Sequence, residues 1–127
     1  MRLLDFFNIV SHATRARYNP YPSLERHNHN NMKLYVDDIR IAPAGWEQAW
    51  DFKEAIKYLE TKKVQKLSLD HDLGSSLGAT GYDIMKWIEY QVEMEGFPLP
   101  DIVFHTANGV GRQNMQAALD AILRRQQ

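Results

Sequence analysis

Two short apolar runs of the chain each end in acidic residues, a pattern typical of buried strands that carry a site at their carboxyl ends. The acidic residues and the histidine among them are Asp37, Asp38, Asp70, His71 and Asp72. Open α/β folds bind their ligands at the carboxyl ends of the strands, so the two groups can meet there. Carboxylates that lie close together repel one another unless a hard cation such as Mg²⁺ or Mn²⁺ lies among them. The sequence therefore predicts a site for a divalent metal and a phosphate.

Each of these side chains has a chemical role in such a site. Asp37 or Asp38, together with Asp70, can coordinate a six-oxygen cation. Asp70 is also a candidate nucleophile toward phosphorus, because a carboxylate can form an aspartyl phosphate. His71 and Asp72 are candidates for general acid and base. In the alternative interpretation the aspartates form turns or helix caps, and His71 is a structural residue paired with a neighbouring carboxylate.

A third apolar run ends in polar residues of the kind that bind an anion. His105, Thr106 and Asn108 follow this run, and a turn with two glycines then leads to Arg112 and the last predicted helix. The Thr106 hydroxyl can donate to a phosphoryl oxygen, and a helix amino terminus offers free N–H groups. Arg40 and Arg112 are then the cations that bind the phosphate.

The composition is that of one small globular domain. The chain has 127 residues, a formal net charge of −1 and no cysteine, so disulfides and thiolate metal sites are excluded. The near-neutral charge lacks the broad basic footprint of proteins that track long nucleic acids. No apolar stretch approaches the roughly 20 residues that span a bilayer, and Asp5 and Asn8 interrupt the only signal-like stretch. We expect a cytoplasmic protein that binds neither membrane nor long nucleic acid, as a monomer or a homo-oligomer.

Strands and helices alternate from residue 33 onward, which predicts a mostly parallel sheet with helices on both faces. The apolar periodicity predicts strands over about 33–37, 65–70 and 102–104, and helices over about 53–62, from Thr80 onward, and at the end of the chain. Residues 47–52 read equally well as a short strand or as the beginning of the next helix. The chain therefore belongs to the α/β class.

The first part of the chain differs in character from the rest. Its apolar residues at helical spacing are Leu3, Phe6, Phe7 and Val10. They predict a short amphipathic helix over about residues 2–16, followed by a polar linker. We therefore expect an N-terminal extension over residues 1–31 and a folded domain over residues 32–127.

Six separated motifs occur in an order that resembles one known family. They are Asp37-Asp38-Ile39-Arg40, Pro43-Ala44-Gly45-Trp46, Ser68 to Gly74, Gly81-Tyr82-Asp83, His105 to Asn108 and Gly111-Arg112-Gln113-Asn114-Met115. They resemble the cyclic-phosphate-processing receiver domains, a divergent branch of the receiver fold of two-component signalling, and span about residues 32–124. The resemblance implies a flavodoxin-like three-layer sandwich with about four mostly parallel strands, reduced relative to a full receiver.

The resemblance also implies a function. In receivers an acidic pair ends the first strand and a phosphoacceptor aspartate ends the third. The resemblance to the cyclic-phosphate-processing branch implies Mg²⁺- or Mn²⁺-dependent hydrolysis or transfer of a small nucleotide-derived or cyclic phosphate, such as those left on ADP-ribose during RNA repair. The implied metal ligands are Asp37, Asp38 and Asp70; the implied catalytic residues are Asp70, His71 and Asp72; the implied phosphate ligands are Arg40, His105, Thr106, Asn108 and Arg112.

Two departures from the receiver pattern keep other functions open. An ordinary receiver has a helix between its first two strands, but the loop Arg40–Trp46 leaves little room for one. An ordinary receiver also has a fifth strand that carries a phosphate-contacting lysine, and the elements predicted here include no such strand. One alternative is a signalling domain phosphorylated on Asp70. The other is a module without catalysis that binds a nucleotide messenger or a protein partner.

Overall fold

The computed structural model describes residues 31–74 and 78–126. The strands are β1 (Met32–Val36), β2 (Glu47–Ala49), β3 (Val64–Leu69) and β4 (Asp101–Phe104), and the helices are α1 (Phe52–Glu60), α2 (Gly81–Glu95) and α3 (Gly109–Arg125). The strands form one parallel sheet in the order β2-β1-β3-β4. The predicted α/β class and reduced receiver-like sheet of four strands are confirmed, whereas the predicted helix over residues 2–16 lies outside the described residues.

Helix boundaries follow from local capping. Asp51 caps α1, because its side chain accepts a hydrogen bond from the Glu54 N–H at 2.8 Å. The ambiguous segment 47–52 is therefore a short strand followed by a helix cap. Helix α2 begins with the capping box that the sequence predicted, in which Thr80 and Asp83 satisfy each other's backbone N–H groups. No helix in the described part of the chain is long and apolar enough to cross a membrane.

One face of the sheet forms the hydrophobic core. Leu34 pairs in register with Leu67, and Val36 pairs with Leu69, and all four side chains are fully buried on the same face. The helices complete this core with their buried apolar residues, among them Ala55, Leu59, Ile84, Met85, Ile88, Met115, Leu119 and Ile122. Helix α1 contacts α2, and α2 contacts α3. All three helices therefore lie on one face.

The opposite face, which we call the open face, carries the side chains that alternate with the core residues. Lys33, Tyr35, Ser68 and Val103 are the central ones. A right-handed connection from β1 to β2 passes over this face, but it consists of the loop 37–46, which is shorter than the dozen or so residues of a helical crossover. Within residues 31–74 and 78–126, two of the three predicted layers are therefore present.

Candidate functional site

Three strand ends meet at the carboxyl edge of the sheet. Asp37 follows β1, Asp70 follows β3 and His105 follows β4, and one ligand atom from each lies within 4.8 Å of the others. The parallel ladder sets this proximity: the Asp70 N–H donates to the Val36 carbonyl at 3.0 Å, and the His105 N–H donates to the Leu69 carbonyl at 3.1 Å. The predicted meeting of Asp37 and Asp70 is therefore observed, with an imidazole beside them.

Asp37 is almost completely buried, at 1 % exposure. Its Oδ1 accepts hydrogen bonds from the N–H groups of Ile39 and Arg40, both at 2.8 Å, and its Oδ2 accepts one from His105 Nε2 at 2.9 Å. Burial by itself raises the pKa of Asp37, but these hydrogen bonds together outweigh it and hold the pKa below its usual value. The Asp37 carboxylate is therefore ionised at neutral pH.

The His105 ring is held at both nitrogens and on one face. The ring of Tyr35 stacks on it at a centroid distance of 4.3 Å and an angle of 4°. Nδ1 lies 2.7 Å from the Ser68 hydroxyl oxygen and Nε2 lies 2.9 Å from Asp37 Oδ2, and in the tautomer whose Nε2 donates to Asp37, Nδ1 accepts from the Ser68 hydroxyl. Sequence reasoning placed His105 among the phosphate ligands, and the fold brings its Nε2 to the carboxylates.

The sequence analysis gave neither Ser68 nor Tyr35 a role in the site, although Ser68 begins one of the six motifs. Ser68 is only 6 % exposed. The available signal was its hydroxyl in an otherwise apolar run two residues before Asp70, because a buried polar side chain needs a hydrogen-bond partner. The identity of that partner follows only from the register of β3 against β4.

A second group lies next to the first. His71 Nδ1 is 2.8 Å from Asp72 Oδ1, and Asn108 Nδ2 donates to the same oxygen at 3.2 Å. The hydrogen bond from His71 has the largest effect on the pKa of Asp72, and the hydrogen bond from Asn108 adds to it. Together they hold that pKa below its usual value. The His71 ring rests on Gly111, where an added Cβ would lie 2.4 Å from the ring. The fold thus brings together three residues that the sequence analysis selected, and orients the imidazole.

Arg112 and Thr106 hold the loop that follows β4. Arg112 donates from Nη1 to the Phe104 carbonyl at 3.0 Å and from Nη2 to the Thr106 carbonyl at 2.9 Å. Thr106 is 6 % exposed, and its hydroxyl accepts from the Asn108 N–H at 3.1 Å. Arg112 therefore supports this loop, and its contact with a phosphate stays a prediction.

Arg40 and Asp38 flank the cluster. Arg40 Nη1 donates to the His105 carbonyl at 2.8 Å and lies 3.6 Å from Asp37 Oδ2. Its side chain is 52 % exposed, so an anion can reach it. The Asp38 carboxylate lies against Gly74 and is outside the three-residue cluster.

We expect acid to weaken the fold through Asp37. Its folded-state pKa is lowered, so its contribution to stability is present above the unfolded-state pKa of about 3.9 and is lost as the pH falls through the folded value. Urea unfolding between pH 7 and pH 2 measures this loss. Asp37→Asn should flatten the acid dependence, whereas Asp101→Asn, an exposed change at the other edge of the sheet, should preserve it. An unchanged profile in Asp37→Asn would contradict the assignment.

The geometry agrees with the comparison against known families. Residues 32–121 match the cyclic-phosphate processing receiver domain. No curated protein and no solved structure gives a significant match to the chain. The family match covers the sheet, helices α1 and α2, most of α3, and every residue of the site described above. The chain therefore belongs to the family of cyclic-phosphate processing receiver domains.

Proposed function

We propose that this domain uses Mg²⁺ or Mn²⁺ to hydrolyse or transfer the phosphate of a small cyclic or nucleotide-derived phosphoester. The observation that carries the proposal is the cluster of Asp37, Asp70 and His105 within 4.8 Å, with the hydrogen-bonded pair of His71 and Asp72 beside it. Family membership supports cyclic-phosphate processing by a receiver-type domain. The use of a metal, the type of reaction and the class of substrate are what we propose beyond this family membership.

The donor set suits a divalent metal. Asp37 and Asp70 supply carboxylate oxygens, and imidazole nitrogen is a ligand that Mn²⁺ accepts more readily than Mg²⁺. His105 can coordinate through Nε2 once its proton is on Nδ1, where the Ser68 hydroxyl can accept the hydrogen bond instead of donating it. When bound, the metal supplies Lewis-acid activation of a phosphoryl oxygen.

The side chains of the second group supply proton transfer. Asp72 and Asn108 hold the His71 ring through its Nδ1 side, which leaves Nε2 to exchange a proton with substrate or water. Asp70 is adjacent and can attack phosphorus: its oxygen bonds to phosphorus as the ring P–O bond breaks, and the leaving oxygen takes a proton from protonated His71. Water then hydrolyses the aspartyl phosphate. Direct attack by water, with His71 as the base, gives the same product.

The test is phosphorus NMR of candidate substrates incubated with the chain and either metal. We expect the signal of ADP-ribose cyclic phosphate or of a nucleoside 2′,3′-cyclic phosphate to be replaced by that of an open monoester. His71→Gln should slow this reaction about 10²- to 10⁴-fold, the usual contribution of a general acid or base. Recovery of intact ligand, bound stoichiometrically, would instead indicate a module that sequesters the ligand without catalysis.

The signalling alternative has its own test. Incubation with acetyl phosphate would give a lasting mass increase of one phosphate, absent in Asp70→Asn, if the domain were a phosphorylation switch. We expect no lasting increase. The described part of the chain includes no fifth strand, the element that carries the phosphate-contacting lysine in an ordinary receiver. A stable phosphorylated form would favour signalling.

We expect metal binding to raise the melting temperature of the wild type. A ligand present at about 100 times its Kd stabilises the folded state by about 2.7 kcal/mol, which shifts the melting point of a small domain by many degrees. Because Asp70 belongs to the cluster and Asp38 does not, Asp70→Asn should lose more of the Mn²⁺-induced shift than Asp38→Asn. Thermal melts with and without Mn²⁺ measure this shift in melting temperature. Equal shifts in wild type and Asp70→Asn would mean that the metal does not bind at this site.

A further inference from the structure

The loop 37–46 carries two residues of the site, Asp37 and Arg40, yet packing holds little of it in place. Ile39 and Ile41 are 78 % and 75 % exposed, so burial of apolar surface contributes little in the middle of the loop. The backbone groups of such a loop have no ladder partners and need other hydrogen-bond partners. These partners therefore determine where the loop, and Arg40 with it, is held.

One side chain, that of Gln48 in β2, bonds to three backbone groups of the loop. Its Oε1 accepts a hydrogen bond from the Ala42 N–H at 2.6 Å, and its Nε2 donates to the Asp37 carbonyl at 3.1 Å and to the Arg40 carbonyl at 3.2 Å. These partners fix the orientation of the amide, because a reversed amide would place its NH₂ against an N–H and its oxygen against two carbonyls. A carboxylate of the same shape would lack the two donors, so the three bonds together are specific to the amide.

The sheet holds Gln48 itself. Gln48 is the central residue of β2, pairs in register with Tyr35 of β1 and is half-buried. The two ends of the loop are fixed independently, since the Asp37 N–H donates to the Ala49 carbonyl at 3.1 Å and the Trp46 ring packs edge-on against Tyr35 at a centroid distance of 6.2 Å. Gln48 thus joins the middle of the loop to the sheet, between two fixed ends.

Arg40 is the residue that this arrangement places at the site. Its N–H donates to Asp37 Oδ1 at 2.8 Å and its carbonyl accepts from Gln48, so both of its backbone groups are held. Its guanidinium donates from Nη1 to the His105 carbonyl at 2.8 Å. A guanidinium has five N–H donors, and this side chain is 52 % exposed. Donors therefore remain for an anion that approaches from solvent.

We propose that Gln48 is a positioning residue, which holds the loop 37–46 in the arrangement that presents the Arg40 guanidinium to the phosphate of the substrate. This role rests on the proposed function, since the anion is the phosphate that the carboxylate cluster processes. Gln48 acts through the loop and does not touch the phosphate. Without its three hydrogen bonds the loop samples other arrangements, and the affinity for the anion falls with the fraction of time that Arg40 is in place.

NMR titration of the full chain with inorganic phosphate, in the presence of Mg²⁺, tests this role. We expect Gln48→Ala to bind phosphate about tenfold more weakly than the wild type, the loss that results when the binding arrangement is occupied about one tenth of the time. Arg40→Ala removes charge-assisted hydrogen bonds and should weaken binding roughly 10- to 100-fold. The matched control is Gln65→Ala, an exposed glutamine near the amino end of β3, which should bind phosphate as the wild type does.

The double variant distinguishes positioning from any other role of Gln48. If Gln48 acts only through Arg40, adding Gln48→Ala to Arg40→Ala should weaken phosphate binding no further. Amide spectra check that each variant is folded, and Gln48→Asn, whose amide is one methylene too short to reach all three groups, should weaken binding in the same direction. Wild-type affinity in Gln48→Ala, or effects of the two substitutions that add in full, would overturn the inference.

Phosphate binding needs no turnover, so this role and the proposed reaction can fail separately. Binding that depends on Gln48, with every cyclic phosphate left intact in the phosphorus NMR assay, would overturn the reaction and support the role of Gln48. Turnover of a cyclic phosphate with equal phosphate affinity in wild type and Gln48→Ala would overturn the role of Gln48 alone. Absence of saturable phosphate binding in the wild type would overturn the roles of both Arg40 and Gln48.

Discussion

Turnover of a cyclic phosphate should fall by at least about 10³-fold when Asp70 is replaced by Asn, the scale of loss seen when a residue that touches the reacting atoms is removed. Asp70 follows β3 and lies within 4.8 Å of Asp37 and His105, measured between ligand atoms. The amide of Asn is a poor nucleophile and carries no charge. The substitution therefore removes the proposed attacking group and one proposed metal ligand at once. Phosphorus NMR under the conditions that give wild-type turnover measures the loss.

The control for this variant is Asp101→Asn. Asp101 begins β4 at the opposite edge of the sheet and is exposed, so the same chemical change there should leave turnover within the error of the wild type. Asp70 Oδ1 also accepts a hydrogen bond from the His71 N–H at 2.7 Å, which an Asn side chain can preserve through its carbonyl oxygen. We therefore expect Asp70→Asn to remain folded. Wild-type turnover in this variant would exclude Asp70 from the reaction.

Gly81→Ala should lower the free energy of unfolding by about 3 kcal/mol, near the upper end for an overpacked core position. A Cβ at position 81 would lie 2.1 Å from the Asp70 carbonyl oxygen and 2.9 Å from Met115 Sδ. The sulfur can move, but the carbonyl belongs to the backbone, which is held by the Gly81 N–H donating to the His71 carbonyl at 2.8 Å. Relief of the clash must therefore separate helix α2 from the end of β3.

Gly109→Ala is the matched control for this prediction. Gly109 begins helix α3 as Gly81 begins α2, and an added Cβ there meets no atom within 4 Å. Alanine is a better helix former than glycine, so this variant should be as stable as the wild type or slightly more stable. Urea unfolding of both variants measures the difference. A loss of less than about 1 kcal/mol in Gly81→Ala, which is ordinary for a point substitution, would mean that the strand end and the helix separate easily.

Capping and strand periodicity were predictable from the sequence because they depend on residues close together in the chain. The capping box of Thr80 and Asp83 joins positions three residues apart, and any chain with these residues before an apolar helical stripe favours it. The apolar runs before Asp37 and Asp70 likewise predicted two strands and the edge at which their ends meet. The α/β class and the edge of the sheet at which these candidate residues meet required nothing further.

The pairing of side chains within the site depended on the tertiary structure. His105 is 68 residues from Asp37 and 37 from Ser68 in the sequence, and only the register of β1, β3 and β4 brings its two ring nitrogens to these partners. Arg112 differs in this respect, because its guanidinium reaches the carbonyls of Phe104 and Thr106, only eight and six residues before it. A residue type shows which bonds a side chain can form, but not which partner it meets.

The layer arrangement was the other feature that the sequence left open. Alternation of strands and helices predicts helices on both faces of a parallel sheet, yet the strand order β2-β1-β3-β4 moves the crossovers through α1 and α2 in the same direction, which places both on one face. Helix α3, which follows β4, packs against α2 on that face. Local periodicity along the chain determines which residues form strands and helices. Strand order and register, which depend on packing between distant segments, determine which face each helix covers and which side chains meet.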